Sequence, residues 1–102
     1  MTVSKSSGPV VSGARRRVLL VEDEAELARV VRQHVQEAGY EVGHVASGEA
    51  ALQAAAAQPP DLVLLDIMLP GIDGLEVCRR LRAQRFYGPV LMLTARSTEV
   101  DK

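Results

Sequence analysis

The sequence predicts an α/β domain, a parallel sheet with helices on both faces. Three observations carry this. Short apolar runs alternate with segments whose apolar residues recur every three or four positions. Three of the runs (Val18-Leu19-Leu20-Val21, Leu62-Val63-Leu64-Leu65 and Val90-Leu91-Met92-Leu93) are apolar throughout, as strands buried on both faces must be. Glycine and proline punctuate the joins, and the order βαβαβαβ requires parallel strands with right-handed crossovers.

Residues 1–16 read as a flexible N-terminal tail, rich in Ser and Gly and without periodicity. Arg15, Arg16 and Arg17 form a solubilising collar where the domain (17–102) begins. After the first strand, Glu22-Asp23-Glu24 ends the apolar run in acid. Glu24 is expected to act only as a turn former or cap at the positive end of the first helix. That helix presents Leu27, Val30, Val31, Val35 and Ala38 on one face and stops at Gly39. Tyr40 to Val45 alternates weakly, as a second strand. Ser47 is placed to cap an Ala-rich helix from Glu49 to Gln58, which Pro59-Pro60 ends. Asp66 closes the third strand, and Pro70-Gly71-Ile72-Asp73-Gly74 is a turn. Asp73 and Glu76 have capping-box spacing. The helix they open carries Leu75, Cys78 and Leu81 on one side and solvated Arg79, Arg80, Arg82 and Arg85 on the other. Thr94 ends the fourth strand, and a polar stretch to Lys102 begins a further helix.

Composition narrows the function. The chain has 102 residues, 47% apolar and 25% charged, with a formal charge of −1. That suits one small globular domain and gives no bulk attraction to nucleic acid. Aromatics are 3%, so no stacking platform for bases is visible. Cys78 is the one cysteine, which excludes an internal disulfide and reads as a packing residue. No apolar run is long enough to span a membrane and none resembles a secretory signal, so a cytoplasmic location is expected.

The chemistry collects at the carboxyl ends of the strands, where open parallel sheets bind ligands. Glu22 and Asp23 follow the first strand, Asp66 the third and Thr94 the fourth. If those strands are neighbours, three carboxylates and a hydroxyl converge. Mutual repulsion then calls for protonation or a cation. Oxygen ligands without nearby His or Cys favour Mg²⁺. Such a site suits phosphoryl transfer to an aspartate, with Thr94 placed to hydrogen-bond the new phosphoryl oxygens and shift the loop after its strand. A lone Asp after a strand is commonly a turn former; two acidic strand ends and a hydroxyl at a third form a more specific pattern.

Those segments resemble a known family. Val-Leu-Leu-Val-Glu-Asp-Glu, Leu-Leu-Asp-Ile-Met-Leu-Pro-Gly-Ile-Asp-Gly-Leu and Pro-Val-Leu-Met-Leu-Thr-Ala-Arg closely resemble receiver domains of bacterial two-component response regulators. The resemblance spans about residues 17 to 102 and is strongest to the subfamily whose receiver precedes a winged-helix DNA-binding domain. It implies a flavodoxin-like sheet of order 2-1-3-4-5, with Asp66 as phosphoacceptor and Thr94 as the switch hydroxyl. It also implies Mg²⁺ held by Glu22, Asp23, Asp66 and the backbone carbonyl of Met68, with Pro70 and Gly74 matching the turn after the acceptor. The implied phosphodonor is a sensor histidine kinase, and the implied setting is transcription regulation, with DNA bound only through an output domain outside this chain.

The family's fifth strand, with its lysine, and its fifth helix have no counterpart in the sequence, and Lys102 does not match that lysine. A truncated receiver is therefore expected, with the fourth strand an open edge prone to self-association or segment exchange. The alternative is a binding or dimerisation module that is never phosphorylated. A haloacid-dehalogenase-type phosphatase would want an Asp where Met68 stands, and no glycine-rich nucleotide loop is present. The chain is thus expected not to be an enzyme. His34 and His44 read as surface or packing residues away from the carboxyl strand ends, and Phe86 and Tyr87 as packing residues at the opposite sheet edge.

Overall fold

A computed structural model of the chain describes residues 16–93. The tail expected over 1–16, apart from Arg16, lies outside the described residues, as do Thr94 and the polar stretch after it. The elements are β1 (Arg17–Val21), α1 (Ala25–Glu37), β2 (Glu41–Val45), α2 (Gly48–Ala57), β3 (Leu62–Asp66), α3 (Gly74–Ala83) and β4 (Val90–Leu93).

The four strands form one parallel sheet in the order β2-β1-β3-β4. The expected architecture is present, including neighbouring first, third and fourth strands. The strand order reverses between β1 and β3. A right-handed crossover from β1 to β2 therefore puts α1 on one face, while those from β2 to β3 and β3 to β4 put α2 and α3 on the other. The core divides accordingly. Leu19, Val21, Val63 and Leu65 pack with Ala51 and Ala55 of α2 and Val77 and Leu81 of α3. Val18, Leu20 and Leu64 pack with Ala28 of α1, flanked by Val31 and Val35. Alternate residues of one buried strand thus serve two cores, which is why β1 and β3 had to be apolar throughout.

The helices depart from the stripes expected for them. In α1 Val31 and Val35 of the expected stripe pack on the core, but the buried residue is Ala28, while Val30 is 42% exposed and Ala38 is exposed. In α3 Val77 and Leu81 are buried, Cys78 is half-buried and Leu75 is 64% exposed. A threefold-and-fourfold pattern defines a wide arc, and the packing angle on the sheet chooses which edge of it is covered. The α3 arginines are exposed as expected, and Arg82 has partners besides: its guanidinium donates to the carbonyls of Phe86 (2.9 Å) and Gly88 (2.7 Å) and lies 5.9 Å over the Phe86 ring. Phe86 is buried as expected; Tyr87, expected to pack, is 75% exposed.

Terminal signals fare better. Ser47 Oγ accepts from the Ala50 amide (3.1 Å), and Asp73 Oδ1 from the Glu76 amide (2.9 Å). Only this half of the expected capping box is seen, because the Glu76 carboxylate is engaged by Arg79 and Arg80 instead. Gly39 takes φ 103°, the left-handed conformation that ends α1.

Candidate functional site

The reversal of strand order between β1 and β3 opens a crevice at their carboxyl ends, where open α/β sheets bind ligands. Val21 is level with Leu65 in the register, so the next residues, Glu22 and Asp66, stand side by side. Both are buried, at 0% and 2% exposure, while Asp23 is exposed at the mouth. One carboxylate oxygen from each of Glu22, Asp23 and Asp66 lies within 4.8 Å of the other two. The folding thus brings together the three carboxylates singled out in the sequence, from two strands 44 residues apart at Glu22 and Asp66.

Local bonds orient each group. Asp66 Oδ1 accepts from the Met68 amide at 3.0 Å, an Asx-type turn that fixes the carboxylate. Met68 itself is 53% exposed beside the crevice. Glu22 Oε2 accepts from the Glu24 amide at 3.0 Å, ahead of α1. Glu24 stands at the N-cap position of α1, as expected of a turn former or cap, but its side chain makes no cap hydrogen bond, and its own amide is taken by the carboxylate of Glu22. Gly74 closes the floor. An added Cβ there would meet the Ile67 Cα at 2.7 Å and the Asp66 carbonyl oxygen at 2.9 Å. Its amide donates to the Ile67 carbonyl at 3.0 Å.

One residue was missed from sequence. His44, read as a packing residue away from the strand ends, is the penultimate residue of β2, and its Nε2 lies 2.8 Å from the Glu22 carbonyl oxygen. Its position near the end of a strand was visible; its adjacency to β1 was not. His34 stays on α1, with Nδ1 2.9 Å from the Val30 carbonyl.

Two carboxylates buried this close favour a compensating positive charge. All three donors are hard oxygens, and among the described residues no His or Cys joins them, a set that fits Mg²⁺ better than a transition metal.

The family model for "Response regulator receiver domain" matches residues 18–102. Among curated proteins, the transcriptional regulatory protein TcrA of Mycobacterium tuberculosis is 49% identical over 92 residues, covering 90% of this chain and 36% of the relative. The alkaline phosphatase synthesis transcriptional regulatory protein PhoP of Bacillus subtilis is 42% identical over 87 residues, covering 85% of this chain and 36% of the relative. The chain thus spans about a third of the length of these relatives. Among solved structures, the response regulator protein TrrA of Thermotoga maritima in complex with Mg²⁺-BeF superposes with a TM-score of 0.76 at 37% identity, over 85% of this chain and 76% of that one. A complex of the histidine kinase ThkA with TrrA matches with a TM-score of 0.74 at 37% identity, over 85% and 75%.

Proposed function

Because the chain belongs to the response regulator receiver family, we propose that it accepts a phosphoryl group on Asp66 from a phosphohistidine of a sensor kinase. The observation that carries this reading is the cluster of Glu22, Asp23 and Asp66 at the strand-order reversal, with two of its three carboxylates buried. Asp66 is the nucleophile: a carboxylate oxygen bonds to phosphorus as the nitrogen–phosphorus bond of the donor breaks, the electron pair staying on the donor nitrogen, which leaves an acyl phosphate on the aspartate and, from a donor ring protonated at its other nitrogen, a neutral imidazole. The Met68 amide holds the attacking carboxylate in place. Glu22, Asp23, Asp66 and the Met68 carbonyl would hold Mg²⁺, which when bound offsets the charge of carboxylates and phosphoryl oxygens. Thr94 is assigned the hydroxyl that senses the phosphoryl group.

The same reading takes 17–102 as the receiver unit, working in the cytoplasm as a signalling module and not as an enzyme. Among the described residues no helix is long and apolar enough to cross a membrane. Transcription regulation, and DNA binding through a separate output domain, follow by analogy with the transcriptional regulators TcrA and PhoP, and a kinase partner by analogy with TrrA, which was solved with a histidine kinase.

The test is incubation with Mg²⁺ and acetyl phosphate, read by intact mass beside Asp66→Ala. A phosphoryl adduct on the parent chain alone is expected. No adduct, or one on both chains, sinks the assignment. A second reading, a self-associating module without phosphorylation, has one supporting observation. β4 is the edge strand of the described sheet, and its Leu91 is 54% exposed. Dimerisation indifferent to Mg²⁺ and to Asp66 substitution would favour it.

A further inference from the structure

We propose that His44 is a positioning residue for the acid pair, its imidazole supplying the last rung of the β1–β2 ladder and thereby orienting the peptide between Glu22 and Asp23. The inference rests on the reading of the site given above and adds to it a residue outside the acidic cluster.

Val21 pairs with Val45, the last residue of β2, and the Glu22 amide donates to the Val45 carbonyl at 3.1 Å. In a parallel ladder the carbonyl of the same residue turns to the same neighbour and accepts from the amide two residues further on. That amide would be Ser47's. But Ser47 has left the strand to cap α2, its Oγ accepting from the Ala50 amide. His44 Nε2 reaches the Glu22 carbonyl instead, at 2.8 Å. A carbonyl only accepts, so Nε2 carries the proton and donates.

Peptide planarity extends the effect. The Glu22 carbonyl and the Asp23 N–H belong to one trans peptide and point in opposite directions. Drawing the carbonyl towards β2 turns the Asp23 amide towards β3, the strand that ends in Asp66. Among the bonds that hold Glu22, its amide is held by Val45, its carbonyl by His44 and its carboxylate by the Glu24 amide. Without the imidazole, the Glu22 amide would stay on Val45, but the peptide between Glu22 and Asp23 would lose its anchor to β2 while the apolar core beneath it stayed intact. Groups that fix ligand-bearing segments in this way tune metal affinity.

The experiment uses the full 102-residue chain. Mg²⁺ binding is measured by calorimetry well below the melting temperature, and melting is followed separately without Mg²⁺. His44→Gln keeps a donor at similar reach. His44→Leu and His44→Ala remove it, with Leu preserving bulk, and whichever of the two folds serves. The donor-free variant is expected to bind Mg²⁺ about tenfold more weakly. His44→Gln, which keeps the donor, should lose clearly less affinity than the donor-free variant. Equal affinities for the Gln and donor-free variants would overturn the positioning role, and so would a lowered melting temperature with unchanged Mg²⁺ affinity. If the parent chain binds no Mg²⁺ at all, the reading of the site fails first and the inference falls with it.

Discussion

Gly74 occupies a place where no side chain fits. It opens α3, yet its α-carbon lies against the strand end that carries Asp66. The atoms an added Cβ would meet, Ile67 Cα and the Asp66 carbonyl oxygen, are backbone and cannot swing aside. Helix propensity alone would favour alanine by about 1 kcal/mol. Overpacking against a fixed backbone costs about 1–3 kcal/mol and wins. Gly74→Ala is therefore expected to lower the thermal midpoint and to slow formation of the Asp66 phosphoryl adduct, because relief of the clash moves the Asp66–Ile67 segment. An unchanged midpoint together with an unchanged rate of adduct formation would show that the floor of the crevice yields freely. The sequence carried half of this information: a Gly after Pro70-Gly71-Ile72-Asp73 reads as turn chemistry, and the close approach to β3 does not show in it.

Among the elements, α3 has the most explicit electrostatics. The Glu76 carboxylate receives hydrogen bonds from Arg79 (2.6 Å) and Arg80 (2.7 Å), the first turn of the helix pairing with the residues above it. Those bonds, Arg79's foremost, lower its pKa from the ordinary 4.5 to about 2. The sign follows from linkage. The folded state holds the ionised carboxylate more strongly than the unfolded state does. The contribution is therefore present above pH 4.5 and fades as the pH falls through about 2. A carboxyl-carbon NMR titration of Glu76 should give a midpoint near 2, and Glu76→Gln should remove this part of the acid sensitivity of α3. A midpoint of 4 or above would show that solvent and salt screen the pair away. A capping box was the expectation for Glu76. Arg79 and Arg80 lie three and four residues on and compete for the same oxygens, so propensity rules alone did not decide the outcome.

At the scale of the molecule, stability rests on β1 and β3, the two strands inside the sheet. Leu65 is fully buried between β3 and the α2–α3 layer. Leu65→Ala should cost about 2–5 kcal/mol. A small domain holds only about 5–15 kcal/mol in all. Leu75→Ala, at a position 64% exposed, should stay within about 0.5 kcal/mol. Denaturant melts of the two variants would separate these outcomes. Similar losses at both positions would mean that Leu75 packs as its place in the helical pattern suggested.

The strands, their order along the chain and the acids at their ends were legible because they depend on local chemistry. A strand buried on both faces must be apolar at every position, as Val18–Val21 and Leu62–Leu65 are, and a carboxylate directly after it stands at the sheet's carboxyl edge. Turns and caps at Gly39, Ser47 and Asp73 were legible for the same reason. What the tertiary structure decided was every relation between distant segments. It selected Val77 over Leu75 and Ala28 over Val30 for burial, because the angle at which a helix crosses the sheet selects part of a broad apolar arc. It laid Arg82 over Phe86 and brought His44 to the Glu22 carbonyl. No local pattern encodes these contacts: they arise only when strands far apart in sequence are set side by side, and the pairing of β1 with both β2 and β3 does that here.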